Sequence, residues 1–154
     1  MGRILEAIHD FLDQDGWEVR PVEGKTALGM NYHGDKGMWH CVAWAREEQS
    51  EFVFYSIYPL HVPQDKRMVA VEYLTRINYG LIIGNFEMDF DDGEIRYKTS
   101  IDVEDDPLTP ALIRPVIYVN LLNMDRFLPG LEAVLTGELT PQAASAQYDD
   151  TDDA

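Results

Sequence analysis

The pair Asp92-Gly93 constrains the fold of this chain more than any other feature of its sequence. Asp-Gly is favoured at the centre of two-residue hairpin turns, where both central residues need a positive φ. Alternating apolar and polar residues flank the pair, which is typical of two antiparallel strands with one buried and one solvated face. This turn predicts the following cross-strand pairs: Phe90 with Ile95, Met88 with Tyr97 and Phe86 with Thr99 on the buried face, and Asp89 with Arg96 and Glu87 with Lys98 on the solvated face. We therefore expect a hairpin over residues 84–102.

Helical and strand periodicities predict the remaining elements. The predicted helices cover 3–14, 64–79 and a segment from Thr109-Pro110 to Gly137. The further strands cover 26–33, 38–46 and 52–58, with a short strand over 17–22 that Pro21 interrupts. Pro115 and Pro129 predict that the last helix is kinked or in two pieces, because proline removes a backbone donor. The fold class that follows is α+β, with two layers: a mainly antiparallel sheet and helices packed on one of its faces.

The length of 154 residues suits one domain with a substantial core. We expect that domain to occupy residues 1–137. Residues 138–154 carry five acidic side chains and no basic ones, a composition that predicts a disordered tail.

Charge and cysteine content limit the classes of partner and the location. With 28 acidic and 12 basic residues the formal net charge is -16, which repels nucleic acid and anionic membranes. The longest aliphatic run, Leu81-Ile82-Ile83, is far too short to span a membrane. Cys41 is the only cysteine, so no internal disulfide forms and a cytoplasmic location is expected.

No motif in the sequence indicates catalysis, a cofactor or a metal site. Gly24-Lys25-Thr26 resembles the end of a phosphate-binding loop, but the first glycine of that motif is missing. The acidic residues around Asp92 do not match the spacing of a calcium loop. We therefore expect a protein that is not an enzyme and needs no cofactor.

Two neighbouring strands carry large apolar side chains on both faces, so a second surface needs cover. The candidate residues for binding a partner or a second copy are Met38, Val42, Trp44, Val53, Tyr55 and Ile57. Met68, Val69 and Tyr79 lie away from the apolar stripe of their helix and form another candidate surface. The cover comes either from a partner or from loops and the tail of the same chain.

Several segments resemble the YbjN-domain family, in the same order, over residues 3–136. They are Gly37-Met38-Trp39, Glu47-Glu48, Tyr58-Pro59 with Val62-Pro63, 72–79, 84–87 and 92–97. The resemblance implies a fold similar to type III secretion chaperones, with the order α-β-β-β-α-β-β-α. It also implies a small non-enzymatic dimer that binds other polypeptides, while some members are labelled sensory transduction regulators.

Two functional hypotheses follow. The first is a cytoplasmic polypeptide-binding module, chaperone- or adaptor-like, that acts as a homodimer whose population rises as salt screens the repulsion between copies. The alternative is a regulatory protein that senses a small molecule in a pocket between the sheet and the helices, lined by Tyr73, Tyr79 and Tyr97.

Overall fold

A six-stranded antiparallel sheet with helices on one face forms the protein, described over residues 1–149 in a computed structural model. The elements are α1 (Arg3–Gln14), β1 (Arg20–Pro21), β2 (Ala27–His33), β3 (Met38–Arg46), β4 (Glu51–Ile57), α2 (Arg67–Gly80), β5 (Asn85–Met88), β6 (Ile95–Asp102), α3 (Pro110–Leu135) and α4 (Pro141–Ala146). The spatial strand order is β1-β2-β3-β4-β6-β5. The predicted α+β class is confirmed. The two-residue strand β1 lies within the short strand expected over 17–22, and the short helix α4 was not expected.

The core lies between the inner face of the sheet and helices α1, α2 and α3. Trp39, Cys41 and Ala43 of β3 alternate inward, and Phe52 and Phe54 of β4 join them, all buried. This alternation is the period-2 pattern of a strand with one buried face. Burial also raises the pKa of the Cys41 thiol to about 12, so the thiol is protonated at neutral pH and packs as an apolar group.

The β5–β6 hairpin has the predicted faces but a different register. Met88 lies opposite Ile95, and Glu87 lies opposite Arg96, so the expected pairing of Asp89 with Arg96 was wrong by two residues. A shift of two residues keeps every strand side chain on its face. The inward placement of Phe86 was therefore correct, whereas the pairing of its charged neighbours was not.

The register differs because the connection is a six-residue loop and not a two-residue turn. Asp89 accepts a bond from the Asp91 amide at 2.8 Å, and Asp92 accepts one from the Glu94 amide at 2.9 Å, so two aspartates hold the loop backbone. Gly93 has φ +80°, and an added Cβ would lie 2.2 Å from the Val62 carbonyl oxygen. Phe90 leaves the strand and is 52% exposed instead of buried.

Helix α3 is one continuous element of 26 residues although Pro115 and Pro129 lie inside it. The expectation of two pieces was wrong. Each proline removes one intrahelical hydrogen bond, but eleven buried residues along the helix pack against the core. Tertiary packing of this kind outweighs local helix propensity.

Most of the expected disordered tail packs on the domain. Helix α4 contacts α2 and α3, and Ala144 is fully buried. The Tyr148 ring lies 4.8 Å from the Phe127 ring, and its hydroxyl accepts a bond from the Gly130 amide at 3.1 Å. Small side chains let α4 approach closely, a contribution that a count of large apolar residues misses. Residues 150–154 of the expected tail lie outside the described residues.

Candidate partner-binding face

The outer face of the sheet, opposite the helices, carries a group of apolar side chains. We call it the open face, and its apolar residues are Met38, Val42, Trp44, Val53, Tyr55 and Ile57. The β3–β4 register sets Val42 opposite Tyr55 and Trp44 opposite Val53, so these side chains meet across the strands. Within residues 1–149, helices α1 to α3 pack on the inner face and α4 packs on α2 and α3. The described part of the tail therefore does not cover the open face.

A groove of about 660 Å³ crosses the open face. Val42, Trp44, Tyr55 and Ile57 line its middle. One end is formed by the turn that precedes β2, with Lys25, and the other end by Glu94 and Arg96 at the start of β6. The groove thus runs diagonally from β2 to β6 and has charged groups at both ends.

Two arginines lie over the aromatic rings of this face. The Arg46 guanidinium is 5.2 Å from the centroid of the Trp44 ring, and that of Arg96 is 4.2 Å from the centroid of Tyr55. Both distances are typical of cation–π contacts. Each arginine covers part of its ring and restricts the ring's orientation. Side chains of the open face therefore shield some of the apolar surface that the sequence predicted to need a covering partner or segment.

Acidic side chains hold these arginines in place. Arg46 pairs with Glu51 at 3.4 Å, while Glu87 binds both Arg96 and Lys98. Burial opposes ionisation of Glu87, but hydrogen bonds and charges from Lys98 and Arg96 outweigh it and hold its pKa below the usual value. The carboxylate is therefore ionised at neutral pH and keeps Arg96 over Tyr55.

The remaining candidate residues on the open face lie outside the groove. Met38 is exposed at the end of β3, opposite His33. Val53 lies beneath its neighbours and is only 6% exposed. A partner in the groove would therefore contact Trp44 and Tyr55 before it reached either of these two.

The second candidate surface, on α2, is not continuous. Met68 is exposed and Val69 packs against the core. The ion pair between Glu72 and Arg76, at 2.9 Å, lies between Met68 and Tyr79 along the helix. The sequence predicted one apolar surface from Met68, Val69 and Tyr79, but in the structure these three residues do not form a continuous surface.

The sequence pattern pointed to Tyr79 at the end of α2, but not to its exposed apolar neighbours Ile82 and Ile83. Tyr79 is 96% exposed, Ile82 is 95% exposed, and Ile83 follows with half of its surface in water. We call these three residues the α2 tip. The aliphatic run Leu81-Ile82-Ile83 was the sequence feature that could have predicted this exposed surface. A run of three aliphatic residues is equally typical of a buried core segment.

The three tyrosines proposed for a small-molecule pocket do not meet. Tyr73 and Tyr97 are fully buried, and their hydroxyls donate to the carbonyls of Phe127 at 2.7 Å and Ile83 at 2.5 Å. Tyr79 lies in solvent. The proposed pocket was therefore wrong, since two of its residues are satisfied core tyrosines.

The edges of the sheet are poor sites for adding a strand. On β5, the Asn78 side chain accepts a bond from the Phe86 amide at 2.8 Å and donates to the Phe86 carbonyl at 2.9 Å. The amide of Asn78 thus occupies the amide and carbonyl of Phe86, which are among the backbone groups that a new strand would use. The opposite edge, β1, has two residues, and one of them is Pro21, which lacks an amide donor.

Neither a metal centre nor a membrane span is found in residues 1–149. No group of three or more histidine, cysteine or acidic side chains there is arranged to hold a metal ion. No helix in the same range combines the length and apolar character needed to cross a bilayer.

Comparisons with known proteins give one family match. The model of the YbjN family, described as "Putative bacterial sensory transduction regulator", matches residues 5–133. A search of curated proteins gives no significant match.

Two solved structures are similar to this chain. One is the "Crystal structure of YbjN, a putative transcription regulator from E. coli", with 14% identity and a TM-score of 0.62 over 84% of this chain and 89% of that chain. The other is the "Structure of the HopA1-SchA Chaperone-Effector Complex", with 15% identity and a TM-score of 0.48 over 79% of this chain and 88% of that chain. At 14% identity the likeness to the first structure establishes the fold alone.

Proposed function

The chain belongs to the YbjN family, and from that membership and its open face we propose that it is a polypeptide-binding module. It is non-enzymatic, chaperone- or adaptor-like, and works in the cytoplasm as a homodimer. The observation that carries the proposal is the groove lined by Val42, Trp44, Tyr55 and Ile57. Its single buried cysteine, Cys41, agrees with a reducing compartment.

The residue types that line the groove, and the restricted orientation of its aromatic rings, suit a protein–protein interface. The few residues that dominate binding at protein interfaces are enriched in tryptophan, tyrosine and arginine, and the groove contains Trp44, Tyr55 and Arg96. Because the arginines already hold the aromatic rings, binding costs less side-chain entropy. Since Asn78 occupies the β5 edge, the partner docks on the face of the sheet.

We expect the substitution Trp44→Ala to weaken polypeptide binding by about thirtyfold to a hundredfold, the loss typical of an interface hot spot. Peptides of about twelve residues are selected from a random displayed library on the immobilised protein. Their affinities are then measured by fluorescence anisotropy for the unsubstituted protein, for Trp44→Ala and for Leu122→Ala, which removes an exposed apolar side chain from α3.

Leu122→Ala should bind as tightly as the unsubstituted protein. Equal affinities for all three proteins would contradict docking in the groove. Failure to select any peptide would contradict the function itself.

For the homodimer we propose the α2 tip as the contact between copies. Tyr79 and Ile82 are almost fully exposed, and burial of apolar surface gives about 25 cal/mol per Å². The charge of -16 on each copy opposes association. The dimer population should therefore rise in sedimentation velocity between about 20 mM and about 200 mM salt, as screening increases.

The substitution Ile82→Asp should return the protein to the monomer at the higher salt, whereas Leu122→Asp should not. A protein that stays monomeric at high concentration and moderate salt rules out the homodimer. A dimer that persists in Ile82→Asp rules out the α2 tip as its contact.

A further inference from the structure

The open face does not share the strong acidic excess of the chain. Acidic residues outnumber basic ones by 28 to 12 in the sequence. The outward-facing strand positions and the two ends of the groove hold five basic side chains and four acidic ones. The basic ones are Arg20, Lys25, Arg46, Arg96 and Lys98, and the acidic ones are Glu51, Glu87, Glu94 and Asp102. Positive charge is therefore in slight excess at these positions, although the chain as a whole is acidic.

Donors remain unused at both ends of the groove. Lys25 lines one end, and no acidic side chain among residues 1–149 pairs with it. At the other end, Arg96 binds Glu87 through Nε, which leaves its other guanidinium nitrogens for a second carboxylate. The middle of the groove between these ends is apolar.

We propose that the groove takes an acidic polypeptide segment that carries large apolar side chains. The apolar side chains lie on Val42, Trp44, Tyr55 and Ile57, and carboxylates pair with Lys25 and Arg96 at the two ends. The inference rests on the proposed function and specifies its partner. Arginine stacked on an aromatic ring keeps its planar edge free for a carboxylate, which suits this pairing.

The net charge of the chain predicts the opposite partner, a basic segment. The local charges outweigh the net charge because the Debye length is about 8 Å at physiological ionic strength. A segment in the groove contacts Lys25 and Arg96 directly, with Glu94 as the one acidic side chain of the lining. The acidic groups on α2, α3 and the far loops are screened. The net charge therefore predicts a basic partner and the groove predicts an acidic one, so a binding experiment with peptides of either charge can distinguish them.

The test uses three fluorescein-labelled peptides of about twelve residues, added to the full chain at about 150 mM salt. They share the same leucine and tryptophan residues and carry aspartate, asparagine or lysine at four positions between them. We expect the aspartate peptide to bind about tenfold more tightly than the asparagine peptide, and the lysine peptide to bind most weakly. This comparison needs no substitution in the protein.

The substitution Lys25→Glu should cost the aspartate peptide about tenfold in affinity, whereas Lys66→Glu, which makes the same charge change at the start of α2, should leave it unchanged. Tightest binding by the lysine peptide overturns the inference. Equal binding by all three peptides that is lost in Trp44→Ala also overturns it, but leaves the proposed function standing. If none of the three binds up to about 1 mM, the proposed function fails as well.

Discussion

The substitution Gly130→Ala is expected to destabilise the protein by about 3 kcal/mol, although alanine is the better helix former by about 1 kcal/mol. An added Cβ at residue 130 would lie 2.3 Å from the Tyr73 hydroxyl oxygen and 2.8 Å from Cζ. Tyr73 is fully buried, and its hydroxyl donates to the Phe127 carbonyl at 2.7 Å. The ring cannot retreat without breaking that bond and separating α2 from α3.

Urea unfolding followed by circular dichroism measures this change in the free energy of unfolding. Gly80→Ala is the matched control, because Gly80 is the last residue of α2 and no atom lies within 4 Å of its added Cβ. The control should unfold at the same urea concentration as the unsubstituted protein or slightly above it. If Gly130→Ala is as stable as the control, the close packing of α2 on α3 through Tyr73 is wrong.

The substitution Asn120→Asp is expected to cost about 4 kcal/mol at neutral pH, because it buries a charge without a partner. Asn120 is fully buried in α3, and its Nδ2 donates to the Phe54 carbonyl at 2.9 Å and the Tyr97 carbonyl at 3.0 Å. The same Nδ2 also donates to the Thr99 hydroxyl oxygen at 3.1 Å. An aspartate of the same shape would turn an oxygen toward these carbonyls in place of the donor.

The cost of this substitution should depend on pH in a defined direction. Burial raises the pKa of the introduced carboxyl above its unfolded value of about 3.9. The folded state then binds more protons than the unfolded state, so stability falls as the pH rises from about 4 toward the raised pKa. Urea unfolding at about pH 5 and pH 8 should show a smaller loss at the lower pH. Asn31→Asp, on an exposed position of β2, should show almost no loss at either pH.

Local patterns were sufficient to predict which face each strand residue takes. The alternation along β3 and β4 put Val42, Trp44, Tyr55 and Ile57 on one face, and the structure brings them into one groove. The period-2 rule needs no information about distant parts of the chain. The same rule could not show that the turn with Lys25 closes one end of that groove, since this depends on the register of three strands and the twist of the sheet.

Long-range contacts account for the features that the sequence did not reveal. The backbone near Val62 packs on Gly93, so a pair that favours a two-residue turn ends in a six-residue loop. Glu47 is another example: its carboxylate accepts bonds from the amides of Ile4 at 3.0 Å and Leu5 at 2.9 Å. It caps α1 from more than forty residues away, where the local N-cap residue, Gly2, has no side chain to do so.

Asn78 hinders growth of the sheet at its β5 edge. A strand added to the edge of a sheet offers a new edge of its own, so that mode of binding can continue into fibres. With the Phe86 backbone occupied by Asn78, a strand added at β5 would lose the bonds to the middle of that short edge. An occupant of the groove, by contrast, fills a cavity and presents no copy of it. The association proposed for the open face would therefore stop at a fixed stoichiometry, even at concentrations where a bare sheet edge would polymerise.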